Sequence, residues 1–473
     1  MTPEEFRRHA HRVVDWITDY MENARRYPVR AHVRPGEIVA QIAPHPPEGG
    51  EDMDAILDDF ENLILPGISH WQHPDFFAYF PANASPPSVL AEMLTAALGV
   101  NAMNWETSPA ATELETRMMD WLGNAIGLPD GFAGTIHGGA SEATLTAVLT
   151  ARERALAFAG NAHGLDGCGR LTAYASVEAH SSIDKAIRIA GIGDDNLRKI
   201  PLDEGGGMDT QALDHAIAAD IAAGTRPVCV IATLGSTGLG TFDNLRRIGP
   251  VCRRHNLWLH VDAAWAGAAL VLPEERWMID GVEAADSFLF NPHKWLLTNF
   301  DCTAYFVRDP EALIRTFAIL PEYLKSTQDS VINYRDWGIP LGRRFRALKL
   351  WFVLRAYGVD GLRAHISAHI DMARGLGQEI ARADDFELLV PPRLALLVFR
   401  YRPSGLSEAA LDALNDTLLA RLNESGRAYF TRVCADGRFA IRVSIGQTWT
   451  KPHHVAAAWA LIQETARGLD NDS

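Results

Sequence analysis

The sequence predicts an α/β fold built on a largely parallel sheet. Two observations carry that reading. Between about Thr135 and Val307, short apolar, β-rich runs alternate with helical stretches, which requires crossover connections between parallel strands. Hydrophobic residues make up 47% of the 473 and charged residues 22%, the balance of an ordinary globular enzyme of two to four folding units.

The elements follow in chain order. Thr2 caps an N-terminal helix, Pro3 suits its first turn, and Glu5 completes a capping-box spacing. Phe6, Ala10, Val13, Ile17, Met21 and Ala24 recur at helical steps as one apolar face. From Asn62 to Ala91 the only charge is Asp75, but Pro66, Pro74, Pro81, Pro86 and Pro87 exclude a membrane span and suggest buried loop and pocket wall. Ser108 caps the next helix, with Leu114, Met118, Trp121, Leu122 and Ile126 on its apolar face. Strands are expected at YAS 174–176, VCVIATL 228–234, LWLHVDA 257–263, SFLF 287–290 and TAYFV 303–307. The last 110 or so residues mix helix with two further strands, at 395–401 and 439–445, as a small α+β domain.

Composition narrows the function. Acidic side chains outnumber basic ones 59 to 44, a formal charge of -15, which argues against a general nucleic-acid binder. The five cysteines form no CxxC pair, so they read as reduced thiols of a cytoplasmic protein with neither disulfides nor a zinc site. The charged N-terminus lacks the apolar core of a signal peptide. His9 with His11, and His453 with His454, lack metal-ligand partners and read as surface residues. The acidic pairs near 51–59 read as a helix face in water. No GxSxG, HExxH or Walker motif occurs, and G-S-T-G-L-G misses the dinucleotide fingerprint, which disfavours a nicotinamide oxidoreductase.

Three strand-end turns carry the chemistry. Lys294, in SFLFNPHKWLL, sits among apolar residues that desolvate it, lowering its pKa and freeing the amine for Schiff-base chemistry. Taken alone it could as well snorkel from a strand end. Asp262, in LHVDAAWAG, ends an apolar strand in a carboxylate, the partner that a pyridine nitrogen needs to stay protonated; it could equally cap a turn. In IHGGASEATL, Gly138 and Gly139 precede a helix start at Ala140 and Ser141 that favours a phosphate. His180 lies between a strand and a helix capped by Ser181 or Ser182, where it could stack on a flat cofactor or remain a loop histidine.

Together and in this order, NPHKW, HVDAAWAG, AHSSIDKA, GGASEATL, ATLGSTG, PGISHWQHPDFFAYFP, SPAATELE, NFDC and IPLGRRFRALKLW resemble the pyridoxal-phosphate-dependent group II amino-acid decarboxylases, most of all those acting on aromatic L-amino acids. The resemblance thins after about residue 375. It implies the aspartate-aminotransferase-like fold type I, with helices on both faces of the sheet, and a homodimer with active sites at the subunit interface. It divides the chain into a helical dimerisation segment at 1–85, a large cofactor domain at 86–360 and a small domain at 361–473. It implies pyridoxal 5′-phosphate as cofactor, with Lys294 as the Schiff-base lysine and Asp262 on the pyridine nitrogen. Ala140, Ser141, Asn291 and His293 then hold the phosphate, and Thr237 lies beside the cofactor. His180 stacks on the ring opposite Ala264, and Tyr323, in PEYLKSTQDS, is the proton donor of a closing loop.

The implied substrate wall is Trp71, Tyr79, Phe80, Pro81, Ala82, Asn101, Met103 and Gly342, an aromatic-lined pocket suited to a planar side chain. Ala82, Asn101, Met103 and Trp265 depart from the threonine, isoleucine, phenylalanine and tyrosine usual in animal relatives. Gly342 leaves room that serine narrows in some plant relatives. Oxidative conversion to an aldehyde, or a different amino-acid substrate, is the alternative reading.

Overall fold

The computed structural model describes residues 1–319 and 331–471. Two compact units divide the chain, Met1–Pro81 with the described part of His369–Ser473, and Ala82–Ala368. The N-terminal 81 residues carry helices α1 (Pro3–Asn23) and α2 (Met53–Asp59). The capping box forms as its spacing predicts, with the Glu5 N–H donating to Thr2 Oγ1 at 3.2 Å and the Thr2 N–H to Glu5 Oε2 at 2.7 Å. The apolar face expected on α1 is only partly covered, and Phe6 is exposed. The acidic residues of α2 do not simply face water. Arg12 reaches Asp54 at 3.1 Å and Asp58 at 2.5 Å, so a long guanidinium on α1 collects them. His9 and His454 are buried rather than on the surface.

The second unit opens with α3 (Pro86–Leu98) and α4 (Pro109–Ile126). Pro86 and Pro87 start a helix rather than break one, because a first-turn N–H has no intrahelical partner to lose. Ser108 caps α4 as expected, its Oγ accepting from the Ala111 N–H. Met118, Leu122 and Ile126 of α4 are buried, whereas Trp121 is exposed.

Seven strands follow: β1 (Ala133–His137), β2 (Leu171–Ser176), β3 (Leu197–Ile200), β4 (Arg226–Thr233), β5 (Trp258–Asp262), β6 (Ser287–Phe290) and β7 (Thr303–Val307). Their order in the sheet is β1-β7-β6-β5-β4-β2-β3. Only β7 runs against the rest, so the sheet is mixed and mostly parallel. Every residue of β2, β5, β6 and β7 is buried, which is why these strands read as unbroken apolar runs. β3, with sequence LRKI, lies at the sheet edge and hides its strand character behind Arg198 and Lys199. Between β1 and β2, α5 (Ala140–Ala155) packs Ala143, Ala147, Val148 and Ala151 into the core against Ile183 and Ile187.

The C-terminal part of the first unit forms an antiparallel sheet ordered β10-β11-β9-β8, from β8 (Phe386–Arg393), β9 (Leu396–Tyr401), β10 (Thr431–Ala435) and β11 (Arg438–Ser444). β9 and β11 match the two expected strands. β8 and β10 were not legible, since their half-exposed positions mix charges with apolar residues.

Candidate active site

Because β1, β2, β4, β5 and β6 run parallel, their C-terminal ends share one edge of the sheet. That edge is where doubly wound sheets place ligands. The register brings the key residues together there: Thr233 pairs with Asp262, and Asp262 with Leu289. Just past the strand ends, the Leu234 N–H donates to the Asp262 carbonyl at 2.8 Å and the Asn291 N–H to the Ala264 carbonyl at 2.9 Å.

Asp262 is buried at the end of β5, and its Oδ1 accepts from the Ala264 N–H at 3.0 Å. His180 follows β2. The helix Ser181–Ile189 is capped by His180 itself rather than by a serine, because the imidazole Nδ1 accepts the Ser182 N–H at 3.1 Å. Partial burial holds the His180 ring below the ordinary imidazole range; Asp262 opposes that shift and Lys294 reinforces it. His180 therefore feels both the carboxylate and the lysine, although they come from three separate turns.

Lys294 belongs to the helical turn Pro292–Trp295 directly after β6. The Lys294 N–H donates to the Asn291 carbonyl at 2.9 Å, and the Asn83 N–H to the His293 carbonyl at 2.8 Å. The Asn83 side chain also donates to the Lys294 carbonyl. Ala82 precedes this asparagine and so stands beside the lysine turn. Asn291 Oδ1 accepts from Thr303 Oγ1 at 2.7 Å. His293 is buried, its pKa pushed down to about 3 by that burial and by Lys294, so the ring is neutral. Its Nδ1 accepts the Cys302 N–H at 2.9 Å. Thr237 is exposed in the turn after β4, where the Gly235 and Ser236 N–H groups donate to the Thr241 carbonyl. Trp265 stacks on Trp295 with ring centroids 5.2 Å apart, buttressing the lysine turn.

The wall residues fall in two places. In the second unit, Asn101 Oδ1 accepts the Arg343 N–H at 3.0 Å, and the Arg335 N–H donates to the Met103 carbonyl at 2.8 Å. A Cβ on Gly342 would meet only Asn101 Nδ2, at 3.9 Å, so the space there is open. In the first unit, Trp71 stacks near Tyr79 at 5.8 Å, and Phe80 and Pro81 are buried. Tyr79 has φ +49, a costly conformation for a non-glycine residue. Arg442 holds it there, donating to the Tyr79 carbonyl at 2.5 Å while its guanidinium lies 4.5 Å over the Phe80 ring. Tyr323 lies outside the described residues. Among those residues, no group of three His, Cys, Asp or Glu is placed to hold a metal.

Residues 35–402 match the family model described as the pyridoxal-dependent decarboxylase conserved domain. The chain belongs to the pyridoxal-dependent decarboxylase family. This decarboxylase is 42% identical to the aromatic-L-amino-acid decarboxylase of Cavia porcellus, over 99% of each chain. It is 40% identical to the phenylacetaldehyde synthase of Arabidopsis thaliana, covering 99% of this chain and 97% of that one. The crystal structure of Oryza sativa TDC with PLP and tryptamine superposes with a TM-score of 0.96 at 36% identity, over 99% of both chains. The protein is thus a carboxy-lyase of fold type I that works with pyridoxal 5′-phosphate.

The decarboxylase's own geometry fits that cofactor. No side chain caps α5, and a Cβ at Gly139 would meet nothing within 4 Å, so an anion can approach the helix start. A buried carboxylate and a half-buried lysine stand at the ends of adjacent strands, and the charges of both act on His180, the donor set a pyridine aldehyde requires. Sequence reasoning missed Asn83, Arg442 and the Trp265–Trp295 pair. None has a motif of its own, because each acts on atoms brought close only by folding.

Proposed function

We propose that this chain decarboxylates an aromatic L-amino acid (tryptophan, phenylalanine, tyrosine or dihydroxyphenylalanine) to the amine and CO2. The observation that carries the site assignment is that Asp262 and the turn bearing Lys294 end adjacent parallel strands, joined by the Asn291 N–H to the Ala264 carbonyl, with both charges acting on His180. The aromatic substrate class is supported by the names of the relatives and by Trp71, Tyr79 and Phe80 in the implied wall.

When bound, pyridoxal 5′-phosphate supplies the sink for the electron pair left behind as CO2 departs. Lys294 holds it through the ε-amine. Asp262 keeps the proton on the pyridine nitrogen. Ala140, Ser141, Asn291 and His293 hold the phosphate, with Thr237 alongside. His180 and Ala264 would bracket the cofactor ring, and an imidazole held below its ordinary range by partial burial suits stacking. Tyr323 Oη donates the proton to the substrate Cα, with His180 able to relay it. The loop that bears Tyr323 excludes water and oxygen while that carbon is electron-rich.

The working form is a homodimer in the cytoplasm, with its active sites at the subunit interface. Leu90, Met93, Leu94 and Leu98 support the dimer: they lie on one face of α3 and are exposed, an apolar patch that a second copy would cover. Sedimentation velocity tests this, and a monomer at working concentration would remove it.

The deciding assay measures CO2, amine, aldehyde and peroxide over a panel of amino acids. Amine from aromatic substrates is the expected product. Aldehyde as the main product supports the alternative oxidative reading, which one relative's name motivates. Preference for an acidic amino acid would end the aromatic assignment.

A further inference from the structure

Behind the phosphate turn lies a group of charges that the proposed mechanism does not use. Glu142 is the third residue of α5, where a capping box would place its carboxylate on the N-cap N–H. Here it reaches further back. Oε2 accepts the Gly138 N–H at 3.0 Å, and Oε1 lies 3.0 Å from His137 Nδ1. Burial pushes this carboxyl up, but the His137 hydrogen bond and charge, the Gly138 N–H and Arg346 outweigh it, and Glu142 stays below the ordinary carboxylate range. Arg346 is in turn fixed by Asp301, through contacts of 2.9 and 3.1 Å.

Gly138 is where these groups meet. A Cβ there would come within 2.9 Å of Asp301 Oδ2, 3.0 Å of Glu142 Oε2 and 3.3 Å of Arg346 Nη2. The glycine therefore exists to let three charged groups close around one peptide. The adjacent Gly139, by contrast, has open space where its Cβ would go. The two glycines of the turn thus do different work: one is gripped from behind, and the other leaves the ligand side clear. His137 belongs to the same grip. Its ring stands edge-on to Tyr305 at 5.3 Å, and its backbone pairs with Thr303, which holds Asn291.

We propose that Glu142 is a positioning residue for the cofactor phosphate, clamping Gly138 and His137 so that the first turn of α5 is presented in one fixed geometry. The clamp is backed by the Arg346–Asp301 pair. This rests on the reading of Ala140 and Ser141 as phosphate holders. Supporting groups that orient a ligand's direct contacts are commonly worth 10- to 100-fold in affinity, on the order seen behind metal ligands.

The test compares binding of pyridoxal 5′-phosphate and of phosphate-free pyridoxal to the apoprotein, by absorbance titration. The wild type should prefer the phosphorylated form strongly. Glu142→Ala should lose roughly 10-fold or more of that preference, with pyridoxal affinity and apoprotein melting little changed. Glu142→Gln, which keeps an acceptor for the Gly138 N–H, should restore most of it. If Glu142→Ala does not fold, Glu142→Asp decides, since its shorter arm cannot span both partners and should lose the preference too. Wild-type preference in the folded alanine variant, or in the aspartate variant, overturns the clamp. A wild type that binds both forms equally instead overturns the phosphate assignment beneath it.

Discussion

At the scale of single residues, the site depends on groups whose chemistry is set by neighbours. Lys294→Ala removes the only amine proposed to hold the cofactor, so turnover should fall by about three orders of magnitude or more, as for other deleted nucleophiles. Secondary structure and melting should barely move, because the side chain lies at a strand-end turn rather than in the core. More than a few per cent of residual activity would show that another group does this work. Tyr323→Phe tests the proton donor. CO2 loss should persist while protonation fails, so oxygen intercepts the carbanion and the product shifts from amine toward aldehyde, ammonia and peroxide. An oxygen electrode run beside an amine assay reads that ratio, and an unchanged ratio at normal turnover removes Tyr323 from the mechanism. Both residues were legible as letters in motifs. The partners of His180 were not, since Asp262 and Lys294 lie 82 and 114 positions further along the chain.

At the scale of elements, the loop from Gly342 to Arg346 is tied to the sheet by one buried pair. Arg343 sends Nη2 to Glu115 Oε1 at 2.6 Å and Nη1 to Glu115 Oε2 at 3.1 Å, and the same Nη2 reaches the Ile136 carbonyl at 2.9 Å. The two side chains are 8% and 2% exposed, so water cannot replace a missing partner. Glu115→Ala strands a buried guanidinium and should cost about 3–5 kcal/mol of stability. Chemical denaturation checks it, and a loss under about 1 kcal/mol, the size of an exposed pair, would contradict the buried geometry. The same variant should weaken aromatic substrate binding more than cofactor binding, because Arg343 also anchors Asn101. The motif IPLGRRFRALKLW marks this loop, but which of its arginines faces inward depends on α4 and β1 arriving from far up the chain.

At the scale of the whole molecule, both units bury histidines in neutral form. His73, His260 and His293 are each held near a pKa of about 3, with desolvation as the leading cause. An unfolded chain protonates these rings below about 6.5 and the folded chain refuses, so stability is fully present above that pH and falls as pH drops through it. Each ring contributes roughly 1.4 kcal/mol per pH unit below the midpoint. Buried Asp243, pushed up to about 6, acts in the opposite sense, as do the raised carboxyls of Asp75, Glu178 and Asp336, but His70, His180, His365 and His454 are lowered as well and add to the three. The apoprotein should therefore melt several degrees lower at about pH 5.5 than at about pH 7.5. A flat profile in this window, which lies above the range of ordinary carboxylates, would show that these rings charge without unfolding.

The division between sequence and tertiary structure runs along the range of the forces involved. Local chemistry wrote itself into the chain: the Thr2–Glu5 cap, the proline at the start of α4, the apolar runs of strands buried on both faces and the strand-end turns bearing Asp262 and Lys294. Those features need only neighbours within a few residues or burial on both sides. What the fold alone decided was which distant groups share a charge, a cavity or a peptide. Asp262 and Lys294 act on His180, Arg12 gathers α2, and Arg346 and Asp301 join Glu142 at Gly138. Each brings together residues far apart in the chain. Its energy depends on distances of a few ångströms that exist only once the strands have taken their order in the sheet.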